Sequence, residues 1–424
     1  MAELTPLRRN KQFQLLWFGS AVSQLGTELT RLAMPLLVLA LTGSPGWAGV
    51  VAGARTAAFI VTQMPAGILV DRWDRRRTLI ASQGAQLVNA AVLALLIVTD
   101  GARIWHFVVL GVVDGICTAF SGPARTIAIR GVVPAEQLRG AYAQEEARSH
   151  AARLLGPPLG GLLYGIGRAV PFVLDVLTFL VAFLCSVFAK VPRRPATTNS
   201  AEEAAPRKRT MRREAAEAAA WLWRQRGLRG VCAAVMAMNL LGPAILIPLI
   251  VLVGQRGGGA LTTGMVLAGI GIGGLVGALL SDRIGGLLPA GMLLISILAA
   301  FGVADLVMVL PLGSWWPMVP LLITAVFTPT LNVLLSVAVS RLVPHEMLGR
   351  LDAMLTVAVM GLSPLAPVLG GALAAGLGGA GAIVVLGVGF LLVAAAAATS
   401  RELRHFTEEA PAEVAGDAEP SKKD

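Results

Sequence analysis

Four charged residues sit where charge is most costly. Arg31, Arg55 and Asp114 fall inside otherwise apolar stretches, each about nine or ten residues from an end of its stretch. These ends lie on the same side if successive stretches alternate in direction. Glu28 precedes Arg31 by one helical turn and shares its face. Ionisable side chains in hydrocarbon are rare, and they mark ion pairing, proton carriage or solute recognition. Burial favours a neutral acid, while a neighbouring arginine favours the carboxylate. Glu28 or Asp114 could therefore take up and release a proton as that balance shifts. The same four residues could instead form a neutral network that fixes helix packing and never titrates. Both readings stay open at the level of sequence.

Composition says what must hold these residues. The chain of 424 residues is 55% hydrophobic and only 14% charged, against about a quarter charged in soluble domains. That much apolar surface exceeds what one core can bury, so lipid is the expected solvent. A stretch of about 20 apolar residues spans a bilayer. Twelve are readable, at 12–41, 46–70, 77–99, 104–130, 139–166, 170–189, 229–253, 261–281, 287–310, 315–343, 351–376 and 380–400. The first carries Glu28 and Arg31, is too long for a cleaved signal and lacks a small-residue cleavage site. An all-α polytopic membrane protein follows.

The net charge of +10 would suggest nucleic acid in a soluble protein, but its distribution argues otherwise. Of 35 Lys and Arg, only Arg103, Arg168 and Arg256 fall in alternate loops on one side. The rest gather mainly at the N-terminus, in the opposite loops, in the central linker and in the tail. This asymmetry places both termini in the cytoplasm of a multi-pass plasma-membrane protein. Its basic loops face anionic inner-leaflet headgroups, and no nucleic-acid partner is expected. Cys117, Cys185 and Cys232 fall inside spans and offer no disulfide framework. His106, His150, His345 and His405 are scattered, with no metal spacing and no nucleophile–base motif. Neither an enzyme, a metal nor a cofactor is expected.

The chain also repeats itself at half its length. Val132–Ala143 is echoed by Leu342–Ala353, with Pro134 matching Pro344. Leu159-Gly160-Gly161 recurs as Leu369-Gly370-Gly371, Asp71-Arg72 as Asp282-Arg283, and Pro35 as Pro248. Apolar segments repeated at this period point to two similar membrane bundles. We therefore expect residues 1–190 and 229–402 to form pseudo-symmetric six-helix bundles, joined by a cytoplasmic linker at 191–228 and followed by a disordered tail at 403–424. Within the linker, Arg207–Arg229 is basic and Ala-rich and ends in Trp221-Leu222-Trp223. It reads as an amphipathic helix on the membrane surface or as a plain basic tether.

Two kinds of motif stand out. Gly67, Asp71, Arg72, Asp74, Arg75 and Arg76 occupy the turn between spans two and three, with a weaker copy at Gly277, Asp282 and Arg283. Gly156, Pro157, Pro158, Gly160 and Gly161 lie in span five, echoed by Pro367, Gly370 and Gly371 in span eleven. Proline removes a backbone donor and bends a helix, and glycine permits close helix contact. A hinge or gate is one reading, and simple packing is the other.

The first motif resembles the signature Gly-x-Leu-x-Asp-Arg-x-Gly-Arg-Arg/Lys of the major facilitator superfamily, with Asp74 where glycine is usual. Phe13-Gln-Leu-Leu-Trp17, Ser23-Gln-Leu-Gly26, Pro35-Leu-Leu-Val38, Leu41-Thr-Gly-Ser44, Asp71-Arg-Trp-Asp-Arg-Arg76, Gly122-Pro-Ala-Arg125 and Val133-Pro134 resemble one subgroup, the exporters related to enterobactin and macrolide efflux proteins. In that subgroup the Asp74 variant is ordinary. The segment Gly156–Gly161 is similar to the antiporter motif Gly-Pro-x-x-Gly-Gly of the same superfamily. The arginine that its proton antiporters often carry in span four is absent here, and Asp114 stands in that stretch.

The resemblance implies spans one, two and four around a central cavity, hence a substrate and proton pathway of Glu28, Arg31, Arg55 and Asp114. Asn239 and Asn332 are polar positions on the facing half. Arg125, Glu145, Glu146 and Arg148 cluster near the cytoplasmic ends of spans four and five and suit an inner gate. Asp175 and Asp305 are expected to be anchors near the outer interface, on peripheral helices. A cavity charged on one wall and apolar on the other suits small amphipathic organic molecules. Export by alternating access with proton exchange is the leading expectation. A lipid or lysolipid flippase, an importer of the same fold and a non-transporting sensor or scaffold are the alternatives. No Gly-x-x-x-x-Gly-Lys-Ser/Thr loop is present for ATP, so an ion or substrate gradient must supply the energy.

Overall fold

A backbone in lipid must satisfy its own N–H and C=O groups, and the apolar stretches fold as α-helices in the computed structural model. Residues 6–190, 226–342 and 359–404 are described. Side chains at 71, 72, 75, 226–228, 335–342 and 402 lie outside that description, as do the linker 191–225, the repeat segment 343–358 and the tail 405–424. The first half holds α1 (Lys11–Thr42), α2 (Pro45–Arg72), α3 (Arg75–Val98), α4 (Ile104–Val132), α5 (Leu138–Ile166) and α6 (Val170–Phe188). The second holds α7 (Arg226–Ala244), α8 (Leu246–Gln255), α9 (Ala260–Gly285), α10 (Ala290–Met308), α11 (Met318–Leu342), α12 (Leu365–Thr399) and the short α13 (Arg401–Arg404).

Among the described residues, eight helical segments are long and apolar enough to cross a membrane, α7 and α8 counting as one from Arg229 to Gln255. α12 is two passes. Gly378 takes φ 70°, a left-handed conformation that glycine adopts without Cβ strain, and the chain reverses there. Ala366 and Leu386, on either side of the turn, both pack on Ala244, while Gly379 packs on Pro248 and Leu252. α2, α5 and α11 are 28, 29 and 25 residues long, enough to span although more polar. Counting these and both parts of α12, the described residues make twelve passes.

Local signals set the helix ends. The Asn10 side chain accepts from the amides of Gln12 and Phe13 and caps α1, and its own amide donates to the Val132 carbonyl at the end of α4. Gly43, at φ 65°, ends α1, and Pro45 opens α2, where its missing N–H costs nothing. We call the end bearing Leu7–Arg9 and the α2–α3 turn the near end, and the end bearing Gly43 the far end.

In the first half, α1 packs on α5 and α6, α2 on α4, and α3 on α4 and α6. In the second, α9 packs on α11 and α10 on α12. The halves meet through α5 against α9 and α2 against α12. Glycine makes these contacts close. Gly161 rests on Ala260 and Gly264 on the Pro157 carbonyl; correspondingly, Gly371 rests on Pro45 and Gly49 on the Pro367 carbonyl. Within each half, Gly160 packs on Leu29 and Gly370 on Ala244. The sequence repeat is thus a pseudo-two-fold in space. Val61, Leu95, Leu279 and Leu392 are more than 60% exposed, as a lipid-facing surface requires.

Candidate functional site

The charges of α1, α2 and α4 meet around a cavity of about 370 Å³ between the two halves. Arg55 Nε donates to Asp114 Oδ2 at 2.6 Å, joining α2 to α4. Gly115 makes this approach possible, since a side chain there would strike the Arg55 backbone. Arg31 reaches Glu28 Oε2 at 3.0 Å across one turn of α1. Arg31 lines the cavity, and Glu28 is buried behind it against Gly156 of α5. The four charges therefore form two pairs.

Apolar residues cover much of the remaining wall. Met34, Ala48, Val51, Leu93 and Phe179 line it from the first half, and Pro243, Leu246 and Pro367 from the second. The glycine contacts at Gly49, Gly161 and Gly371 lie on its far side.

Several polar cavity residues are not singled out by the sequence, Asp175 and Asn89 among them. Asp175, expected as an outer anchor, lines the cavity from α6 beside Thr30 and Thr178. The signal available was its spacing of three from Thr178, which puts an acid and a hydroxyl on one helical face. Asn89 lines it from α3 and donates to the Leu110 carbonyl at 3.2 Å. Asn89 ends a stripe of buried polar positions on α3, with Gln83, Gln86 and Asn89 spaced three apart and Ser82 beside Gln83. Asp305 is buried on α10 beside Gly387 of α12, and its Oδ2 has no partner among the described residues.

The polar positions proposed for the second half stand elsewhere. Asn239 on α7 donates to the Val359 carbonyl at 3.4 Å. Asn332 is exposed on α11. Neither is among the cavity-lining residues.

Near the near end, Glu145 Oε2 joins Arg148 at 2.8 Å and Arg125 at 3.5 Å, linking α5 to α4. Arg148 also donates to the Ser20 carbonyl at 2.7 Å, tying α5 to α1. Glu146 stands apart from this network and pairs with His150 on an exposed face. In the α2–α3 turn, Asp74 accepts from the Arg77 amide at 2.8 Å and caps α3. Arg76 donates to the Val187 carbonyl at the end of α6. Gly67 has open space around it. The side chains of Asp71, Arg72 and Arg75 lie outside the described residues, and Asp282 and Arg283 are exposed at the end of α9. Among the described residues, no group of His, Cys, Asp and Glu could hold a metal.

A family model, the Major Facilitator Superfamily, matches residues 16–351. The chain belongs to this superfamily. Membership places it among membrane transporters and not among enzymes. Macrolide efflux protein A of Streptococcus pyogenes is 28% identical over 189 residues, 43% of this chain and 45% of that protein. Multidrug efflux pump Tap of Mycobacterium tuberculosis is 29% identical over 158 residues, 35% of this chain and 37% of the pump. The chain thus matches less than half the length of these relatives. Among solved structures, a bacterial homologue of the human lysosomal transporter Spinster, inward-facing and occupied, aligns with a TM-score of 0.71 at 14% identity, covering 95% of this chain and 98% of that one. A bacterial homologue of the iron transporter ferroportin, also inward-facing, aligns at 0.66 with 13% identity, covering 92% and 99%. At these identities the likeness shows the major facilitator fold.

Proposed function

We propose that this transporter exports small amphipathic organic molecules by alternating access, in exchange for protons. The observation that carries the reading is the cavity itself, with charge pairs on one wall, apolar side chains on much of the rest, and close glycine contacts between the halves on its far side. An amphipathic solute buries its apolar body against Met34, Val51, Leu93 and Phe179 and meets polar groups on the opposite wall. Basic loops put the near end in the cytoplasm, so the far side faces out and the cavity fills from within. The efflux relatives support this direction.

Glu28, Arg31, Arg55 and Asp114 form the charged pathway. Each acid is held by an arginine here, and rocking of one half against the other can exchange those partners. One proton moving down a gradient of about one pH unit supplies about 1.4 kcal/mol, enough for about a tenfold solute gradient. The bacterial cytoplasmic membrane, with its anionic inner leaflet, is the setting.

Reconstitution tests the reading. Proteoliposomes acidified inside should accumulate a macrolide through protein inserted with its near end outward, and should alkalinise as they do. Macrolide movement that ignores the pH gradient, or that follows the proton in the same direction, defeats it.

A further inference from the structure

Asp175 differs from Glu28 and Asp114 in making no salt bridge among the described residues. Arg31 is engaged by Glu28 and Arg55 by Asp114, whereas Asp175 is met by two threonine hydroxyls. Thr178 Oγ1 lies 3.2 Å from Asp175 Oδ1 but only 2.7 Å from the Asp175 backbone carbonyl oxygen. Thr30 Oγ1 lies 3.4 Å from Oδ2, and 3.1 and 3.2 Å from the carbonyl oxygens of Thr27 and Gly26. A hydroxyl has one proton to donate. In both threonines the backbone carbonyl is the nearer acceptor, and a hydroxyl that gives its one proton there turns only lone pairs toward Asp175. A carboxylate would then face acceptors with no donor, at 7% exposure. A neutral carboxylic acid donates its own O–H to a threonine oxygen and is satisfied.

We propose that Asp175 is the residue that exchanges a proton for an amphipathic organic cation. In this state it stands as the neutral acid. When the cation enters, the Asp175 O–H bond breaks, the proton leaves through the open side of the cavity, and the carboxylate pairs with the cation. One positive charge enters and one departs, so the cavity keeps its charge. The charged groups around this corner are Glu28 and Arg31 from α1, Arg55 from α2 and Asp114 from α4, with Asn89 of α3 polar and Arg153 of α5 near Arg31. The two acids among them are each paired with an arginine, whereas Asp175 is not. Gly26 is part of the device, because a side chain there would strike Asp175 Oδ1 and Thr178 Oγ1.

This deepens the exchange reading above and rests on it. The test uses tetraphenylphosphonium and tetraphenylborate, which share shape and differ in sign, on the full chain in detergent. Wild type should bind the phosphonium with release of one proton and should bind the borate at least about tenfold more weakly. Asp175→Asn should lose the proton release and weaken phosphonium binding about tenfold or more, while Glu146→Gln, at an exposed acid outside the cavity, should still release the proton. A difference infrared spectrum of the wild type, which needs no variant, should show a protonated carboxylic acid lost when the phosphonium is added. Equal binding of the two ions, undiminished proton release from Asp175→Asn, or no carboxylic acid band overturns the assignment. If pH-driven macrolide flux persists in wild type under those outcomes, only Asp175 is wrong; if wild type shows no such flux, the exchange reading itself fails.

Discussion

Gly49 packs its bare Cα against the carbonyl of Pro367. A Cβ at Gly49 would also stand 3.2 Å from the Gly371 Cα, inside ordinary contact distance. Gly264 meets the Pro157 carbonyl in the same way in the other half, so the far-end contact between the halves is two copies of one joint. Because lipid tails are as apolar as leucine, close backbone packing of this kind is what holds such helices together.

Widening either joint should open the far side. Gly49→Leu or Gly264→Leu must push the halves apart, at about 1–3 kcal/mol of overpacking. In a background with Cys117, Cys185 and Cys232 replaced, a cysteine at Ala52 of the cavity wall should become several-fold more reactive toward an impermeant thiol reagent applied at the far side. Unchanged labelling in both variants would show that the glycines do not close the far side.

The Arg55–Asp114 bond should prove more than a packing device. Asp114→Asn leaves Arg55 partly buried without its anion, and should lower stability by about 1.5–3 kcal/mol and abolish solute movement. Exchanging the pair as Arg55→Asp with Asp114→Arg restores charge balance and should recover most of the thermal stability. If transport returns along with stability, the pair only fixes packing and the neutral-network reading is correct.

Much of this arrangement can be read from the chain because membrane folding leaves few choices. Runs of apolar residues must become helices, and Gly160-Gly161 and Gly370-Gly371 recur because both halves close with the same joint. Position across a helix is harder to read than position along it. Asp175 lies only a few residues inside α6, so counting depth suggests an interfacial anchor. Its true place depends on Gly26 of α1, which lets α6 come close enough for the carboxyl to reach the cavity. That contact joins residues far apart in sequence, and no local pattern contains it. Adjacency in sequence groups Glu146 with Glu145, yet neighbours on a helix point about 100° apart, and the two acids serve different faces.

The two neighbouring acids of α5 should therefore respond differently to neutralisation. Glu145→Gln leaves Arg148 and Arg125 facing each other without the anion that joins them. Arg148 is buried, so the loss should reach about 3 kcal/mol or more, with little rescue by added salt. Glu146→Gln removes an exposed pair with His150 and should change stability by about 0.5 kcal/mol or less. Thermal unfolding of the two variants in detergent compares them directly, and equal shifts would dissolve the distinction between network and surface pair.

The last prediction concerns the residue that departs from the superfamily's usual signature. Asp74 stands where glycine is usual, and its carboxylate accepts from the Arg77 amide as the N-cap of α3. Glycine is itself a tolerable N-cap, since water reaches the open amides, whereas alanine both lacks the acceptor and shields them. Asp74→Gly should cost only a few tenths of a kcal/mol, and Asp74→Ala about 1 kcal/mol. The test is the order of the two variants in a thermal or denaturant melt. If alanine is no worse than glycine, Asp74 does not act through the cap, and its place in the turn must be explained by what its charge meets beyond α3.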